Sequence, residues 1–161
     1  MDKKNIIAKR IAGFFDAPIT SIFLDKDVVG HIEKMTFFRN DYQCLELSNE
    51  MVELSERLEE GVLVAETFRN MPDKSSAQKI VLSPEMQVEK TSLKFLLHEE
   101  NGNTNPSGLL FKSFRGEENY VIVGAAPFTL AFLSGLYPES KSPEYDISEY
   151  RQENLEEQTL S

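Results

Sequence analysis

At 161 residues, 40% of them hydrophobic, the chain is long enough for one domain that removes roughly 70% of its unfolded surface from water. Its formal charge of −10 repels phosphate backbones, which argues against nucleic acid as a partner, and the composition excludes disordered and fibrous classes. Cys44 is the single cysteine, so an internal disulfide is excluded and a cytoplasmic protein resting on its core alone is expected.

Taken in chain order, the first element is a helix over Lys3 to Phe15, because Ile7, Ile11, Phe14 and Phe15 share one helical face. Lys9 and Arg10 interrupt its apolar run before it reaches the length of a signal-peptide core, and Pro18 ends it. "ITSIFL" (Ile19 to Leu24) reads as a strand, followed by turn chemistry at Asp25-Lys26-Asp27. The stretch "HIEKMTFFRNDYQCLELS" reads as a hairpin turning at Asn40-Asp41. Leu47, Met51, Leu54 and Leu58 then fall at i, i+4, i+7 and i+11, which predicts a helix from Asn49 to Glu60 with Gly61 as its C-cap.

Beyond Gly61 the pattern becomes extended. "VLVAETF" and "KIVL" are short apolar runs, and "TSLKFLLH" alternates, with Leu93, Phe95 and Leu97 on one face and Ser92, Lys94 and His98 on the other. With "LLFKSF" and "YVIV" this predicts an antiparallel meander. Tyr120 to Tyr137, "YVIVGAAPFTLAFLSGLY", carries no carboxylate, amine or guanidinium, yet Pro127 and two glycines break it well short of a continuous bilayer span of about 20 residues. It reads as a core strand and then a helix from Phe128 to Tyr137 that is apolar nearly all round, with Pro127 in its first turn. Such a helix is buried on more than one side, so Phe128, Phe132, Leu133, Leu136 and Tyr137 are the candidate partner-binding residues.

The fold class expected is α+β: a single domain over residues 1–138, an antiparallel meander packed by helices on one face. An acidic tail over 139–161 follows. From Pro138 to Ser161 seven acids stand against Lys141 and Arg151, and Asp146 with Glu149 has capping-box spacing for a short helix from Ile147 to Glu157.

The strong catalytic and cofactor signatures are absent: no Walker A run, no G-x-G-x-x-G, no G-x-S-x-G, no H-E-x-x-H. "DKDVVGHIEKMT" places Asp25, Asp27 and Gly30 at calcium-loop positions, but Val29 and Thr36 stand where oxygen ligands are needed, so it reads as a turn. Cys44 with His31 or His98 has the groups for a nucleophile and base, and a lone cysteine on an apolar strand reads instead as a small buried hydrophobe. His98-Glu99-Glu100 has the groups for general acid and base work. No cofactor and no metal are implied, and a non-enzymatic role is favoured over an enzyme.

The order of helix, strand, hairpin, helix, antiparallel strands and closing helix, in an acidic leucine-rich chain, resembles the small chaperones of bacterial type III secretion. That resemblance implies a homodimer that holds a segment of a secreted protein extended along its surface, as a chaperone or adaptor. The tail "SEYRQENLEEQTLS" is similar to the glutamate-rich C-terminal signals of type IV effectors, which implies instead a cargo delivered to a host cell. A third alternative is a small enzyme or ligand-binding domain with its pocket between sheet and helices, lined by His98, Glu99 or Glu100.

Overall fold

In a computed structural model of the protein, the structure describes residues 3–55, 58–70, 73–98, 105–114, 119–125, 128–135, 137–138 and 142–155. Among these residues one α-helix, α1 (Lys3–Phe14), precedes ten strands: β1 (Ile19–Lys26), β2 (Ile32–Arg39), β3 (Cys44–Ser55), β4 (Leu58–Phe68), β5 (Gln78–Met86), β6 (Lys94–Leu97), β7 (Gly108–Lys112), β8 (Asn119–Ala125), β9 (Thr129–Leu133) and β10 (Arg151–Asn154). Every pairing is antiparallel. The strands form a single sheet, curled into a half-barrel, in the order β10-β6-β7-β8-β9-β2-β1-β5, with the β3–β4 hairpin branching from β2.

The branch explains the shape. Lys34 to Phe38 of β2 pair with Ser48 to Cys44 of β3, while Ile32 on the same strand pairs with Leu130 of β9. β2 is therefore shared by two half-sheets, β5-β1-β2-β3-β4 and β9-β8-β7-β6-β10. Between them lies the larger core, where Phe15 of α1 meets Phe37 at 5.5 Å and Phe111 at 5.2 Å between ring centroids. α1 contributes Ile7, Ala8, Ile11 and Phe14 to that core. It is tied down by Arg10, which donates to the Ala65 carbonyl at 3.0 Å, and by Arg39, which donates to the Phe14 carbonyl at 3.0 Å.

The α+β expectation is corrected here: among the described residues the fold is mostly antiparallel sheet with one α-helix, not a sheet packed by several. The helix expected over Asn49 to Glu60 is the far half of the β3–β4 hairpin, with Asn49 paired to Leu63 and Met51 to Gly61. Its misleading signal has a simple cause, because a spacing of four is even, so residues at i and i+4 share a strand face as well as a helix face. Leu45, Leu47 and Asn49 are all buried in period two, and Gly61 is a mid-strand residue rather than a cap.

The helix expected from Phe128 to Tyr137 is β9. Thr129, Leu130, Ala131 and Phe132 are all buried, Leu130 and Phe132 in the larger core and Ala131 in a second cluster on the other face. Uniform apolarity marked burial on two sides correctly, and a strand covered on both faces meets that condition as fully as a helix does. The tail helix is likewise replaced by a 3-10 turn at Ile147–Glu149 followed by β10, although the Asp146 N–H does donate to Glu149 Oε2 at 2.9 Å. α1, β1 and the hairpin through residues 40–43 stand where the spacing placed them.

Candidate functional site

Residues 142–155 cross the outer face of the second half-sheet as a strap and end as its edge strand. Gln152 pairs with Leu96 and Asn154 with Lys94, so the β6 edge is completed by a four-residue strand. Ahead of β10, Tyr145 stacks on His98 with ring centroids 3.8 Å apart and planes 7° apart, and Tyr150 meets the same imidazole edge-on at 5.8 Å. Tyr150 packs with Leu96, Val123, Ala125 and Ala131, while Leu155, five residues on, is fully buried in the larger core. Because alternate residues of a strand face opposite ways, the odd spacing from Tyr150 to Leu155 fastens the strap on both faces of the sheet.

Charge adds to this attachment. Lys4 Nζ lies 2.9 Å from Glu153 Oε1, a charge contact without hydrogen-bond alignment, and Arg151 donates to the other carboxylate oxygen at 2.9 Å. Glu144 reaches β4, where its Oε2 accepts from the Gly61 N–H at 3.4 Å, and its own N–H donates to the Gly124 carbonyl at 3.2 Å. A shallow open groove of about 410 Å³ runs beside the strap, lined by Leu133, Ser142, Pro143, Tyr145, Asp146 and Ile147.

The candidate partner-binding residues are dispersed by this fold. Phe132 is fully buried and Tyr137 nearly so, the two rings stacked at 5.9 Å; Leu133 is half-buried in the groove wall; Phe128 is 58% exposed with a φ of 57°. Leu136 lies outside the described residues, as do Glu99 and Glu100. Sequence reasoning missed the tail residues Tyr145, Tyr150 and Leu155, which hold the strap down. The available signal was their five-residue apolar spacing in an otherwise acidic segment.

The chemical candidates are separated as well. His31 precedes β2 and Cys44 pairs with Phe38 near its other end, a separation of about 23 Å over seven residues of strand. Burial pushes the Cys44 thiol above its ordinary pKa, against the opposing pull of Lys74, so the neutral thiol is the resting form. Lys74 itself is committed to Asp25 at 2.5 Å and Glu46 at 3.7 Å. His31 sits in the β1–β2 turn, where Asp27 Oδ1 accepts the N–H groups of Val29 and His31 at 2.9 Å each. Those bonds, the one from His31 first, hold the Asp27 carboxyl below the usual range and make the stretch a turn with Gly30 at a φ of 96°. His98 is 2% exposed beneath two tyrosines, where the alternation had placed it on the open face.

Among the described residues no three of His, Cys, Asp and Glu stand together as metal ligands, and no helix is long and apolar enough to cross a membrane. No protein-family model matches the chain, and no curated protein or solved structure matches it.

Proposed function

We propose that the protein is a non-enzymatic protein-binding module, a cytoplasmic homodimer that serves bacterial secretion as a chaperone or adaptor. The observation that carries the binding part is the strap: an acidic, extended segment lies along a sheet edge, held by ladder pairing and a few buried anchors. That is the physics of strand addition, in which main-chain bonds supply affinity and side-chain pockets supply selectivity. The groups that would favour an enzyme point the other way, since Cys44 is a buried neutral thiol and His98 lies under Tyr145 and Tyr150.

The secretion role is supported by the acidic, glutamate-rich chain and no longer by the order of elements, because two of the helices in that order are strands. Phe128, 58% exposed at the β8–β9 turn, is the candidate contact residue most open to solvent among those described. A photo-reactive phenylalanine analogue at Phe128 in the native cell, with light scattering on the purified chain, tests the reading. A dimer mass together with crosslinks to a secreted protein is expected. A clean monomer whose crosslinks reach no secreted protein would end it.

A further inference from the structure

Among the described residues, two other sheet edges are obstructed along part of their length. β5 is broken between Val81 and Met86 by a register shift that contains Pro84, which has no N–H to offer. The outer side of β4 is occupied at Gly61 by Glu144, at Leu63 by the Pro106 carbonyl at 2.8 Å, and at Ala65 by Arg10. At the other end of the sheet the β6 edge takes an extended chain, and there the occupant is the chain's own C-terminal segment, whose β10 is the outermost strand.

We infer that residues 145–155 are a built-in competitor, and that the β6 edge is the docking site for a foreign acidic segment that adds as an antiparallel strand in their place. This rests on the protein-binding reading and names the partner's chemistry. The seated strap is the template: an aromatic at the Tyr150 position for the cluster of Leu96, Val123 and Ala131, a carboxylate three residues on for Lys4, and an aliphatic five residues on for the core site of Leu155. Lys94, whose Nζ is 3.5 Å from Gln152 Oε1, adds a second positive charge beside the edge, so the site selects acidic over basic segments. Four residue pairs and one further main-chain bond, from Leu155 to the Leu93 carbonyl, join the strap to one side of the sheet, whereas β8 is paired along both sides, so the strap should open before β8 does.

The experiment uses the full chain. A fluorescent peptide copying Ser142 to Leu155 is titrated into the wild type and into Y150A/L155A, whose strap lacks both anchors. The variant is expected to bind at least tenfold more tightly, because the wild-type edge is open for only a fraction of the time and apparent affinity falls by that fraction. A peptide with lysine at the position of Glu153 is expected to lose most of that binding. Amide exchange on the wild type covers the case in which the variant fails to fold: Arg151 to Asn154 should exchange well before Tyr120 to Val123.

Exchange of β10 only together with β8 overturns the proposal, as does a folded variant that binds the peptide no better than the wild type. A loosened variant that forms strand-exchanged dimers instead of taking up peptide also overturns it, since the occupant is then a second copy. Peptide exchange without crosslinks at Phe128 keeps the site and removes the secretion role, so the two failures remain distinct.

Discussion

Asn49 holds the fork of the sheet. Its Nδ2 donates to the Ala125 carbonyl at 3.3 Å, its Oδ1 is buried without a partner, and it lies against two backbones that glycine leaves open. A Cβ on Gly61 would fall 2.3 Å from Asn49 Oδ1 and one on Gly124 2.7 Å from it, so neither position admits a side chain while Asn49 stays. Gly124→Ala should cost about 1–3 kcal/mol in urea unfolding, and Asn49→Ala in the same chain should recover part of that loss. Strictly additive costs would show that the wedge does not exist. Cys44 makes a second prediction at this scale: a neutral thiol reagent should modify it at least ~100-fold more slowly in the folded chain than in urea, as burial of the thiolate's precursor implies. The raised pKa has a definite sign, because the folded state holds the proton more tightly. The stability it contributes is complete below the ordinary thiol range and is lost as pH rises through the folded value. Rapid labelling of native protein near neutral pH would contradict this.

β9 shows at the scale of an element why the fold class could not be read from apolar spacing. Ala131 and Phe132 are neighbours in sequence and face opposite ways, and both are fully buried. Phe132→Ala should cost about 3–5 kcal/mol by leaving a cavity, and Ala131→Glu should cost several kcal/mol by placing a charge under the strap. A harmless Ala131→Glu would mean that the outer face is open. Period three-to-four and period two overlap wherever residues stand four apart, as Leu47 and Met51 do, so the β3–β4 hairpin was legible as an apolar segment but not as a strand. α1 was legible because Ile7 and Ile11 are followed by Phe14 and Phe15, and the step of three from Ile11 to Phe14 belongs to a helix alone. β6 was legible on its core face, whereas the burial of Leu96 and His98 on the other depends on a strap roughly fifty residues away.

The whole molecule should unfold as one unit. Its larger core takes Ile22 and Phe37 from one half-sheet and Phe95, Phe111 and Phe132 from the other, and β2 belongs to both. Circular dichroism and tyrosine fluorescence should therefore report coincident urea transitions, and two separated transitions would make the halves independent. The sequence by itself determined the charge, the absence of internal disulfides, the burial of the strongly apolar runs, and the ends of α1, because these depend on residue type and local spacing. It also placed the turns at Asp27 and Asn40-Asp41. Only the tertiary structure decided that the apolar segments are strands, that they share one forked sheet, and that the acidic tail closes its edge. Strand pairing is non-local: β5 finds β1 and β10 finds β6 through partners that no window of sequence contains. The same reason scattered the candidate contact residues and put Tyr150 and Leu155, expected in a tail helix, in the two apolar clusters of the sheet, with Tyr145 stacked on His98.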